Sequence, residues 1–259
     1  MKKQLLILTL LALTAIPASF AQVRTTTTNN CMWLNYTQMT KFNKGITLHT
    51  ELQWRRLDWG MHPEQVQVRL GILKDVGNNT SVGLGYSYIS TSRYGEFGPK
   101  SAFAENRIYQ QLQHKSFFGR VEWVNRLRLE QRFTNDPVAD ANGIYSEGPA
   151  VLKHRARWSN RFSVPINKKT IEDGALYLTA FDEVFIAFGG NVPLNVFDQN
   201  RAFFGAGFKT KTLGKIEVGF MQQIQNKSKV SNNIYTGRQE FNNTWCVSIY
   251  KDLDLRSKE

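Results

Sequence analysis

His49 and Glu51 stand two residues apart, the spacing that puts two side chains on one face of an extended strand. An imidazole beside a carboxylate is two-thirds of a hydrolytic triad, and a serine completes it. By parity in their own segments, Ser87 and Ser159 are the serines that would face the same way. A lipid hydrolase needs its site at the lipid surface, whereas His49 shares its face with charged residues, so no catalytic residue is assigned. Of the other histidines, His62 falls in a connection, His114 ends a strand and His154 has the parity of an apolar face. No Cys/His spacing suits zinc, and no metal or cofactor is expected.

The dominant chemistry is a lattice of charge. Arg55, Arg69, Arg107, Arg126, Arg128, Arg132, Arg155, Arg157, Arg161 and Arg201 share polar faces with Glu51, Glu105, Glu122, Glu130, Glu183 and Glu217. Opposed Arg and Glu on neighbouring strands attract, and a guanidinium grips a carboxylate through two hydrogen bonds. The lattice reads first as a structural plug. An excess of arginine over glutamate reads second as a narrow anion-preferring pore. The chain carries 33 Lys and Arg against 21 Asp and Glu, a net charge of +12. Its basic residues alternate with apolar ones instead of clustering, which argues against nucleic acid.

The elements that must position this lattice are long strands. In 45–55, Ile46, Leu48, Leu52 and Trp54 alternate with Thr47, His49, Glu51, Gln53 and Arg55. In 120–133, Val121, Trp123, Leu127, Leu129 and Phe133 alternate with Arg120, Glu122, Arg126, Arg128, Glu130 and Arg132. The same period runs through segments near 65–72, 81–88, 155–162, 201–209, 215–224 and 244–249, and less cleanly through 32–41, 103–113 and 176–188. Short turns are expected at 42–44, 77–79, 115–117 and 211–214, with a longer one at 165–174. Long connections are expected at 56–63, 91–101, 134–149, 189–196 and 226–239. This is an up-and-down antiparallel meander.

Residues 1–21 have a charged start at Lys2 and Lys3, an apolar stretch and small residues at Ser19 and Ala21, the pattern of a Sec signal peptide. The barrel is then expected over 22–259. Beyond that signal there is no run of 18 apolar residues, so the chain is not a helical membrane protein.

Alternation fits a soluble ligand-binding barrel with its apolar face inside, or a transmembrane barrel with that face on lipid. Strand length and export favour the second, since a tilted transmembrane strand needs about 9–11 residues. Trp33, Trp54, Trp158, Tyr86, Tyr88 and Trp245 are read as interfacial aromatics. Eleven segments are counted, but single-chain bacterial barrels have even numbers. A further strand is therefore sought in 23–30, for 10–12 strands with twelve favoured. Cys31 and Cys246 fall on the first and last clear strands, which are neighbours in a closed barrel. A seam disulfide needs Cα atoms within about 7 Å; two free thiols are the alternative.

Several runs resemble an uncharacterised family of bacterial outer-membrane barrels, domain of unknown function 2490. They are Glu105-Asn106-Arg107-Ile108-Tyr109-Gln110-Gln111, Arg126-Leu127-Arg128-Leu129-Glu130-Gln131-Arg132, Arg155-x-Arg157, Glu183 before Val184-Phe185, and Phe197-Asp198-Gln199-Asn200-Arg201. The resemblance implies a barrel in the outer membrane of a Gram-negative bacterium and supplies no activity or catalytic residue. The expected partners are outer-membrane lipid, lipopolysaccharide, the barrel assembly machinery and a small anionic solute. A porin-like or structural role is expected, with a barrel-embedded lipid-modifying enzyme as the alternative.

Overall fold

The computed structural model describes residues 24–192, 195–227, 229–231 and 234–257. The segment assigned to the signal peptide, 1–21, lies outside them. Among the described residues eleven strands close one barrel: β1 (Thr25–Phe42), β2 (Ile46–Leu57), β3 (His62–Gly77), β4 (Thr80–Thr91), β5 (Phe103–Phe118), β6 (Val121–Thr134), β7 (Val151–Pro165), β8 (Leu176–Phe188), β9 (Phe197–Thr210), β10 (Gly214–Asn226) and β11 (Arg238–Asp254). Consecutive strands pair antiparallel around the wall, and closure leaves no free edge.

The seam departs from the expected topology. With eleven strands the first and last run in the same direction, so β1 and β11 pair in parallel, from Thr25 opposite Arg238 to Lys41 opposite Asp254. The Thr25–Thr28 run is extended as its β-branched composition suggests, but it lengthens β1 and adds no twelfth strand. Thr25 therefore lies at the end of the barrel that carries the long loops, and Asp254 at the end that carries the short turns.

The short turns have residues suited to positive φ. Asn78 and Asn79 link β3 to β4 with φ of 49° and 55°, which is the geometry of a tight hairpin turn. Several boundaries differ from expectation, two of them at turns. β5 runs through 115–117 to Phe118 and turns at Gly119. β2 and β3 meet across a tight 58–61 turn, because strand pairing continues to Leu57 and His62.

Burial follows parity. Leu84, Trp158 and Phe204, at 58, 56 and 63% exposure, represent an outer face that is apolar over most strands. Arg128 and Glu130, both 1% exposed, represent an interior that is charged. Trp33 corrects one expectation: it is 3% exposed and points inward with Cys31, so it belongs to no outer aromatic band. Trp158 and Trp245 face outward but sit mid-strand.

Candidate functional site: an arginine-lined lumen

The charged lattice placed on the polar face by alternation turns inward, except that Arg120 lies in the turn before β6, exposed and bonded to the Pro165, Ile166 and Lys168 carbonyls. Glu122, Arg126, Arg132, Arg161 and Arg201 are half-buried; the remainder of the lattice is buried. Seven arginines meet carboxylates. Arg157 Nη1 donates to Glu130 (2.7 Å) and its Nη2 to Glu183 (2.9 Å). Arg155 donates to Glu130 (2.6 Å) and Asp198 (2.7 Å), and Arg126 to Glu183 (2.9 Å). Arg132 grips Glu105 through two bonds of 2.7 and 3.0 Å, and Arg107 donates to the same carboxylate. Arg69 is bonded to Glu51, and Arg161 to Glu217 at 2.8 Å. Glu122 meets Lys115 Nζ at 2.7 Å.

Arg55, Arg128 and Arg201 have glutamines instead. Arg55 donates to Gln53 and Gln65, and Arg128 to Gln111. Arg201 donates to the Gln199 amide oxygen when that amide presents its oxygen. Among the described residues none of the three has an ion pair. A neutral amide satisfies a guanidinium's hydrogens without cancelling its charge, so the lumen keeps uncompensated positive charge.

Aromatic rings, which alternation alone does not identify as arginine partners, fill much of the remaining space. Arg55 and Arg201 stack on Trp33 at 4.0 and 5.0 Å from its centroid, and Arg128 lies 4.3 Å over Tyr109. Arg155, Arg157 and Arg201 all face the Phe185 ring. Such contacts stabilise a cation by about 2 kcal/mol or more when desolvated.

Two acids reach the lumen only through bulges. Arg55 pairs with Gln65 and Arg56 with Pro63, so Glu64 is an extra residue on β3. Phe185 pairs with Gln199 and Ile186 with Phe197, so Asp198 is an extra residue on β9. Strict alternation sends both outward; the extra residue reverses the parity and turns them inward. Glu64 then accepts from Trp33 Nε1 at 3.2 Å. Pro63 was the available signal, because proline inside a strand is confined to edges and bulges.

At the long-loop end, segment 92–102 folds over the mouth. Tyr94 packs against the apolar cluster of Cys31, Trp33, Leu57, Phe203, Met221 and Cys246. Lys227 Nζ donates to Tyr94 Oη at 2.8 Å and lies 3.9 Å from Glu240. Burial pushes the Tyr94 phenol up to about 12. Burial alone would lower Lys227, but the Tyr94 oxygen and then Glu240 overcome it and hold the ammonium above its ordinary value. Glu240 was missed because β11 begins at Arg238, whereas alternation was read only over 244–249.

Among the described residues, one interior cavity of about 310 Å³ lies toward the short turns and another of about 180 Å³ toward the long loops. Gln53, Arg69, Arg157 and Arg201 line both. His49 faces Glu51 at 3.4 Å, while the Ser87 hydroxyl is engaged by Arg69 Nε at 3.0 Å. Ser159 lines the larger cavity with His49, and no bond joins them. The seam disulfide is not formed. Both thiols are free and buried; Cys31 pairs with Thr244 and Cys246 with Trp33, a two-residue stagger along the seam. That stagger puts the two Cα atoms about 8 Å apart from strand spacing and rise, beyond bridging reach.

Residues 30–234 match the model of a family described as protein of unknown function (DUF2490). No curated protein and no solved structure matches the chain.

Proposed function

We propose that this chain, which belongs to the DUF2490 family of proteins of unknown function, is an outer-membrane β-barrel of structural or passive-transport type. Its filled, Arg/Glu-lined lumen admits small anions in preference to cations. It reaches the outer membrane of a Gram-negative bacterium by the Sec route. There it meets phospholipid, lipopolysaccharide and the barrel assembly machinery.

The observation that carries this reading is the inverted distribution of polarity. Over most strands apolar side chains face outward, and the Arg/Glu lattice faces in. Exposed apolar patches on soluble monomers rarely exceed a few hundred Å². A barrel girdled by such residues is stable in acyl chains, where closure also satisfies every backbone group of the wall. The strands, 12 to 18 residues long, exceed the length needed to cross. A soluble ligand-binding barrel would need the opposite arrangement. The anion preference is supported by the three guanidiniums that lack carboxylate partners. We read the barrel as non-catalytic, since Arg69 engages the Ser87 hydroxyl and the His49–Glu51 pair is buried in the lumen, away from the lipid surface.

Membrane fractionation with heat-modifiable gel migration tests fold and compartment together. Recovery in the outer-membrane fraction with a heat-dependent shift is expected; a soluble periplasmic species overturns the reading. Planar-bilayer recording under a salt gradient then tests selectivity. Small conductance with an anion-favouring reversal potential is expected, and a cation-favouring one removes the arginine argument.

A further inference from the structure

We propose that the larger cavity is a binding site for a small organic monocarboxylate with an apolar body. The proposal goes beyond the barrel's passive role and needs only the folded lumen.

Among the buried polar atoms without a partner, two are guanidinium donors, Arg128 Nη1 and Arg126 Nε; Tyr109 Oη beneath Arg128 and the acceptor Asn35 Oδ1 are the others in this region. Both arginine side chains line the 310 Å³ cavity and lie two residues apart on the inward face of β6. Arg128 is 1% exposed, and its bonded atoms reach only the Gln111 amide. A desolvated guanidinium with an open N–H and no carboxylate calls for an anion. The carboxylates Glu51 and Glu183 line the same cavity, but Arg69 holds the first, and Arg126 and Arg157 hold the second.

The remaining wall specifies the rest of the ligand. Leu73, Phe181, Phe203 and Met221 line the same space, with Phe181 and Phe203 stacked at 5.1 Å between centroids. An inorganic ion would leave this wall unused. A carboxylate carrying a ring or short chain places its head on Arg126 and Arg128 and its body on the apolar wall. The volume lies at the small end of the range for ligand pockets. Met39, Gln113, Val124 and Tyr250 extend the lining toward the short-turn mouth, so entry is from that end.

The test uses the full barrel folded in a neutral detergent, in chloride-free buffer at neutral pH, with isothermal titration calorimetry. The probes are benzoate, its neutral counterpart benzamide, and acetate. Saturable benzoate binding is expected, with benzamide and acetate weaker by about tenfold or more. Arg128→Gln is expected to weaken benzoate by about 10- to 100-fold, the scale of hydrogen bonds to a charged group. This variant removes an uncompensated charge, and its folding is checked by heat-modifiable migration. Should it fail to fold, the three-probe comparison on the unaltered barrel still decides. Absence of benzoate binding overturns the site, equal benzamide binding overturns the anion requirement, and equal acetate binding overturns the apolar body. Benzoate affinity unchanged in folded Arg128→Gln removes the assigned head-group contact. None of these readouts involves a bilayer, so they stand apart from the conductance and fractionation results.

Discussion

Arg128 on β6 sits directly opposite Arg157 on β7, and the two like charges are compensated in opposite ways. Arg157 bridges Glu130 and Glu183, whereas Arg128 has Gln111 and the face of Tyr109. Removing one member of a buried ion pair typically costs about 3–5 kcal/mol, because the partner charge stays behind. Arg157→Leu is expected at the lower end of that range, since Arg155 still holds Glu130 and Arg126 still holds Glu183. Arg128→Met strands no carboxylate and is expected to leave stability unchanged or raise it. Urea titration of the refolded barrel distinguishes them. A larger loss for Arg128→Met than for Arg157→Leu would contradict the charge assignment.

A second packing relationship is set by absence of a side chain. Tyr109 pairs with Gly85, and its phenol ring occupies the space that a Cβ at Gly85, or at the neighbouring Gly71, would need. Arg69 and Arg128 both face that ring. Gly85→Val is expected to lower stability by about 1–3 kcal/mol through overpacking. Adding Tyr109→Ala should return part of it, a non-additivity diagnostic of contact. If Gly85→Val unfolds at the same urea concentration as the parent, the ring is not seated there.

These residues also mark how far the sequence could be read. Parity placed the lattice because a strand's side-chain period is two wherever the ladder is regular. It failed at Glu64 and Asp198, where one extra residue reverses the facing, and Pro63 was the one local sign of that. It placed Phe203 with Arg201 but could not say that the aromatic rings stack on arginine, because a ring's neighbours depend on which strands lie across the lumen. Eleven segments were countable, but the even-number rule for bacterial barrels drew the expectation to twelve. The parallel seam was missed with it, because a twelfth strand would have made the seam antiparallel and alternation is the same for either pairing.

The Tyr94–Lys227 contact gives the long-loop mouth an alkaline dependence. Tyr94 is raised from 10.0 to about 12, chiefly by burial, and Lys227 is raised from 10.5 by its partners. For groups raised in the folded state, the stabilisation is complete below the unfolded values and is lost as pH climbs through the folded ones. Segment 92–102 is therefore expected to stay seated through pH 10 and to loosen near pH 12. Tyr94→Phe should lower the late amplitude of a tyrosinate absorbance titration by one tyrosine. If Tyr94 titrates with the exposed tyrosines, the phenol is not held in the mouth.

The odd strand number makes a prediction about sidedness, given the membrane reading. In a barrel with an even count, both chain ends emerge on one side. Here β1 and β11 run in parallel from Thr25 beside Arg238 to Lys41 beside Asp254, so the two ends of the barrel segment are on opposite sides. Thr25 shares a side with segments 92–102 and 135–150, and Asp254 shares one with the short turns at Asn78 and Gly119. An epitope placed immediately before Thr25 should be cleaved by protease added to intact cells, together with one in segment 135–150. An epitope after Asp254 should resist until the outer membrane is permeabilised. Protection of both terminal epitopes, with cleavage at 135–150, would mean that a twelfth strand completes the wall and that the parallel seam is wrong.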